Sequence, residues 1–161
     1  MSPMLFADAI MHGKTLKVFN NGDMGRDFTY VEDIIEGVRL VISTPAKGVY
    51  GMSSPLGMTS LQGTEGVQCE LDPSWSTAPY RVYNIGSSSP VRLMDYIETL
   101  EEALGKRAEK EFLPMQPGDV LNTYCDVSGL ESDFGYRPRT SLKEGLAAFA
   151  EWYKEWDAKI N

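Results

Sequence analysis

The sequence predicts an α/β fold of short strands packed with amphipathic helices, and three observations carry that reading. β-rich runs alternate with stretches in which apolar residues recur at three and four residue steps. Turn formers, chiefly Gly, Pro, Asn and Asp, separate them. At 161 residues, with 42% hydrophobic and 24% charged side chains, the chain has an ordinary globular composition, and residues 1–161 are expected to form a single domain. A chain of this size can hide roughly 68 to 70 per cent of its unfolded surface, so no disulfide or metal staple is required.

Taken in order, Ser2 and Pro3 open a helix whose stripe is Phe6, Ala9 and Ile10 and whose stop is Gly13. His12 stands at its end, where an imidazole can face the C-terminal dipole. Residues 15–19 alternate like a strand, 20–23 form a turn, and 26–31 read as a second strand. Glu32 and Asp33 are expected to open the next helix, with Ile34, Val38, Val41 and Ile42 at helical spacing. Residues 44–79 break every period and read as one long irregular loop, either a binding loop or lid, or a disordered segment. A strand is expected at 80–85 and a turn through Gly86 and three serines. A helix carrying Leu93, Ile97, Leu100 and Leu104 then ends at Gly105. Residues 111–115 read as a strand, 116–119 as a Pro-Gly turn, and 130–134 as a brief helix closed by Gly135. Ser141 and Glu144 are spaced as a capping box for the last helix, which bears Leu142, Leu146, Phe149 and Tyr153.

Charge narrows the partners. Fifteen Lys and Arg against 23 Asp and Glu give a net −8, which argues against nucleic acid and anionic membrane surfaces while leaving room for one small anionic ligand in a local pocket. No apolar run reaches a membrane span and no leader-like pattern opens the sequence, so a cytoplasmic location is expected. Cys69 and Cys125 sit in no metal-ligand spacing and are expected to be free thiols.

Several catalytic patterns fail. Gly13-Lys14-Thr15 lacks the glycine of a phosphate loop, because Asp8 occupies that position. No GxGxxG cluster joins a strand to a helix. None of the eight tyrosines has a Lys four residues later, and no base is marked out for a Ser-His-Asp arrangement.

Three ordered segments nonetheless resemble a known family: 20–34 with Arg26-Asp27-Phe28-Thr29-Tyr30-Val31, then 78–86 with Tyr83-Asn84-Ile85-Gly86 and the following Ser89-Pro90-Val91, then 112–120 with Gln116-Pro117-Gly118-Asp119. They are similar to the C-terminal, substrate-binding part of extended short-chain dehydrogenase/reductases, and within these to NAD-dependent nucleotide-sugar epimerases of the UDP-glucuronate 4-epimerase type. The resemblance implies the C-terminal portion of an extended Rossmann-type fold without a complete dinucleotide-binding half. It also implies a chain that lacks the family's N-terminal NAD-binding half as partner, binds no NAD alone, and is not catalytically competent by itself.

The resemblance places Arg26 against the nucleotide diphosphate, whose charge suits a guanidinium fork, and Asp119 at the ribose hydroxyls of a UDP-sugar. Gln116 stands where many relatives carry Arg, whereas the uronate-type members look similar in carrying Gln. Without the family, Arg26 reads as half of a surface ion pair, and Asp119 as a turn residue capping the Asn122 or Thr123 amide. Two other functions stay open: a stand-alone nonenzymatic sugar-nucleotide module, and part of a dehydratase or decarboxylase. Self-association is expected through the helices around Val38 and Ile97 and the strand 80–85, because their covering half is not in the sequence.

Overall fold

The computed structural model describes residues 3–46, 74 and 78–160. Most of the loop expected at 44–79, and Cys69 with it, lies outside the described residues. The elements are α1 (Pro3–His12), β1 (Leu16–Phe19), β2 (Gly25–Arg26), α2 (Val31–Ser43), β3 (Val91–Arg92), α3 (Leu93–Leu104), β4 (Lys110–Leu113), α4 (Ser128–Phe134) and α5 (Leu142–Ile160).

β1 and β4 pair in parallel, with Leu16 opposite Lys110 and Val18 opposite Phe112. Strand alternation sends Leu16 and Val18 inward, where they meet α1, α3 and α5. The main core there comprises Phe6, Ile10, Leu93, Ile97, Leu100, Leu104, Leu146, Ala150 and Tyr153. Tyr153 of α5 is therefore a packing group, as its helical spacing from Leu146 implies, with Phe149 and Trp156 partly buried beside it and Trp152 half exposed. Ile97 is fully buried inside this core. Any surface that α3 presents is therefore made by other residues of that helix.

The expected caps form. Gly105 ends α3 and Gly135 ends α4, both left-handed, with φ of 75° and 65°. The Ser141 amide donates to Glu144 Oε2 at 2.9 Å, and the Glu144 amide donates back to Ser141 Oγ at 3.3 Å, a complete capping box. His12 closes α1, its Nδ1 3.1 Å from the Asp8 carbonyl and 3.0 Å from the Asp8 carboxylate.

Two expected strands do not form. Residues 26–31 give only the two-residue β2, because beyond Arg26 the chain is held by side chains instead of a backbone ladder: the Asp27 amide donates to Thr123 Oγ1 at 3.0 Å. Residues 80–85 run without a named strand and pack Tyr83 and Ile85 against a second cluster built on Val127, Leu130 and Tyr136. Their side chains find a layer, whereas among the described residues their backbone finds no continuous neighbour. α2 opens at Val31, and Asp33 serves another segment instead of the helix terminus. Buried to 8% exposure, its two oxygens accept the amides of Arg139 and Thr140, each at 3.1 Å.

Candidate ligand-binding site

The site forms where three remote segments meet at β2. Gly25 and Arg26 pair antiparallel with Arg92 and Val91 of β3. On the other side the Gly25 amide donates to the Leu121 carbonyl at 2.9 Å, and the Thr123 amide returns to the Gly25 carbonyl at 3.2 Å. A Cβ at Gly25 would lie 2.5 Å from Asn122 Oδ1, so any side chain there would have to displace the Asn122 amide.

Arg26 is fixed in this crossing. Nη1 donates to the Gly25 and Leu121 carbonyls at 2.8 and 2.9 Å, and Nη2 donates to Asp119 Oδ1 at 2.9 Å. Its side chain is 14% exposed and that of Asp119 33%, so the pair sits at the surface boundary with its guanidinium plane set by three acceptors. Asp119 arrives from the 116–119 turn, in which Gly118 takes a φ of +83° and the Asp119 amide donates to the Gln116 carbonyl at 3.2 Å. Oδ1 of Asp119 also accepts the Val120 amide at 2.8 Å. The carboxylate thus caps Val120, not Asn122 or Thr123.

Arg26 and Asp119 are brought together, whereas Gln116 is not brought into the pair by any described hydrogen bond: its carbonyl holds the turn and the residue is exposed. Outside these contacts Arg26 retains Nε–H and one Nη2–H, and Asp119 retains Oδ2. A cation edge beside an anionic acceptor suits a ligand with phosphate next to hydroxyl groups.

Asp27 was not singled out from sequence, yet it ties the site's floor. Its Oδ2 accepts the Ser88 amide at 3.0 Å and the Cys125 amide at 2.9 Å, joining the turn after Gly86 to the segment leading into α4. Oδ1 is buried with no hydrogen-bond partner among the described residues. The only signal was its place beside Arg26. Cys125, a free thiol, is half-buried, and burial first, then the Asp27 and Asp126 carboxylates, push its pKa up. Such a thiol stays protonated and is no nucleophile.

β3 passes into α3 through Arg92 with no glycine between them, and β1 leads into a 3-10 turn at Asn20–Gly22. No described strand enters a helix through a glycine-rich turn. Nor do the described residues hold a metal-ligating cluster or a helix long and apolar enough to cross a membrane.

Residues 3–53 match the NAD dependent epimerase/dehydratase family. The chain is 40% identical over 159 residues to Protein CapI of Staphylococcus aureus, covering 99% of this chain and 43% of that protein. It is 35% identical to the probable UDP-glucuronate 4-epimerase of Rhizobium meliloti, covering 96% and 42%. Among solved structures it superimposes on the UDP-glucuronic acid 4-epimerase of Bacillus cereus in complex with UDP-glucuronic acid and NAD, with a TM-score of 0.67, 26% identity, and coverage of 95% of this chain and 39% of that one. The chain therefore spans about two fifths of the relatives it matches. By sequence and by fold the chain is similar, over part of their length, to nucleotide-sugar epimerases, and residues 3–53 match the NAD dependent epimerase/dehydratase family.

Proposed function

We propose that this chain is the UDP-sugar-binding portion of an NAD-dependent epimerase acting at C4 of a UDP-uronate or UDP-hexose. The observation that carries the reading is the Arg26 guanidinium, held by the Gly25 and Leu121 carbonyls and by Asp119 so that one edge remains for a ligand. That edge meets a phosphate of the nucleotide diphosphate, and Asp119 Oδ2 accepts a ribose hydroxyl. Fixing the guanidinium before the ligand arrives removes most of the ordering cost of binding. The likeness to proteins named UDP-glucuronate 4-epimerases, and to one solved with UDP-glucuronic acid, supports the substrate class.

Binding and orientation are what these residues supply. In the family, NAD carries the hydride chemistry; among the described residues no glycine-rich strand-to-helix turn is present to hold it, and no redox step is assigned to this chain.

Titration with UDP, followed by NMR on the whole chain, tests the reading. A charge-assisted contact contributes about 1.5 to 3 kcal/mol, so Arg26→Ala weakens UDP about tenfold to hundredfold. Arg26→Lys, which keeps the charge and loses the fork, falls between. UDP shifts that are the same in wild type and Arg26→Ala would overturn the assignment.

A further inference from the structure

β2 meets the segment 121–125 through two parallel backbone rungs, the Gly25 amide on the Leu121 carbonyl at 2.9 Å and the Thr123 amide on the Gly25 carbonyl at 3.2 Å. A parallel ladder carried one step further would set the Asp27 amide on the Thr123 carbonyl and the Cys125 amide on the Asp27 carbonyl. Both rungs are present, each with a side-chain oxygen in the carbonyl's place. The Asp27 amide donates to Thr123 Oγ1 at 3.0 Å, and the Cys125 amide donates to Asp27 Oδ2 at 2.9 Å. The same Oδ2 accepts the amide of Ser88, whose left-handed φ of 53° is a costly conformation for a serine. The Ser88 hydroxyl donates in turn to the Cys125 carbonyl. One carboxylate oxygen thus continues the ladder and joins a third segment to it.

Arg26 lies between the backbone rungs and the side-chain rungs. Of its three acceptors, the Leu121 carbonyl and Asp119 Oδ1 belong to the segment that Asp27 pins. The Leu121 carbonyl takes both the Gly25 amide and Arg26 Nη1, so a slip of 121–125 along β2 turns the guanidinium with it. We propose that Asp27 is the positioning residue of the ligand site: its carboxylate stands in for the backbone rung, fixes the register of 121–125, and so holds Leu121 and Asp119 where they aim the remaining edge of Arg26 at a nucleotide diphosphate. Resting on the UDP-binding reading, this role puts Asp27 in no contact with the ligand and has it act through Arg26.

NMR of the arginine side-chain nitrogens, without ligand, reads the orientation directly, because a guanidinium held by three acceptors rotates slowly and keeps its Nη resonances apart. Wild type should show them separate for Arg26 and Asp27→Ala should merge them, with circular dichroism confirming the fold. In UDP titrations Asp27→Ala should raise the dissociation constant about fivefold to tenfold, whereas Asp27→Asn, which can leave an oxygen on both amides, should stay within about threefold of wild type. The double variant Arg26→Ala with Asp27→Ala should bind within about twofold of Arg26→Ala alone, whereas a merely structural loss would multiply. Should Asp27→Ala unfold, Thr123→Val removes the other side-chain rung at the same crossing and should merge the Nη resonances with about a threefold loss of UDP affinity. Three results overturn the proposal: Nη resonances that stay apart in these variants, losses that multiply in the double variant, and Asp27→Asn as weak as Asp27→Ala. A wild type that takes no UDP would overturn the binding reading instead, and the ligand-free resonances would still decide the role of Asp27.

Discussion

Asp33 on α2 holds Thr140, 107 residues away, by accepting its amide at 3.1 Å, and its other oxygen accepts the neighbouring Arg139 amide. One buried carboxylate thereby fixes where the chain turns into α5. Hydrogen bonds to a charged acceptor contribute about 1.5 to 3 kcal/mol each, and truncation strands two amides. Asp33→Ala should therefore cost about 3 kcal/mol in urea unfolding, and Asp33→Asn less, because one oxygen acceptor survives.

Gly86 faces Cys125 so closely that an added Cβ would collide with the Cys125 Cβ, and Asp27 Oδ2 lies 3.5 Å away. The obstacle is anchored on backbone held by Asp27, so it cannot swing aside. Gly86→Ala should destabilise by about 2 kcal/mol and, by spreading the segments that Asp27 joins, should weaken UDP binding as well. A double variant with Cys125→Gly should recover part of both losses, read by thermal melting and by titration.

Tyr96 is buried, stacked on Phe28 at 4.1 Å between centroids, and its hydroxyl has no hydrogen-bond partner among the described residues. Burial alone pushes its pKa up to about 12. The folded state thus keeps the proton where the unfolded chain, at about 10, releases it. The corresponding stability is complete below pH 10 and disappears as pH rises towards 12, a loss of about 3 kcal/mol. Tyr96→Phe should abolish that part of the alkaline loss. At pH 7 it should be neutral or slightly stabilising, since an unpaired hydroxyl leaves the core.

Glu101 is 3% exposed, and its Oε1 accepts the Ala108 amide at 2.9 Å and the Lys110 ammonium. The pair ties α3 to β4. Lys110→Ala leaves a buried carboxylate unpaired and should cost about 3 kcal/mol, whereas replacing both with Glu101→Leu and Lys110→Met should cost less than the single change. Chemical denaturation of the three proteins would decide it.

The sequence by itself determined the elements whose signals are local. The stripe of α3, the Ser141–Glu144 box, and the glycines at 105, 118 and 135 each specify a helix, cap or turn through neighbours within four residues. All formed as read. The motifs also pointed to Arg26 and Asp119 before any geometry was known. Tertiary structure alone decided the rest. Residues 26–31 and 80–85 have strand-like composition, but a strand also needs a partner backbone, and its presence is not written locally. Asp27 and Asp33 look like a turn acid and a helix opener, yet each accepts amides about sixty to one hundred residues away. Whether Arg26 and Asp119 meet depends on the crossing of β2 with 121–123. Hydrophobic period and capping act at short range, whereas a buried carboxylate takes whichever amides the fold brings to it.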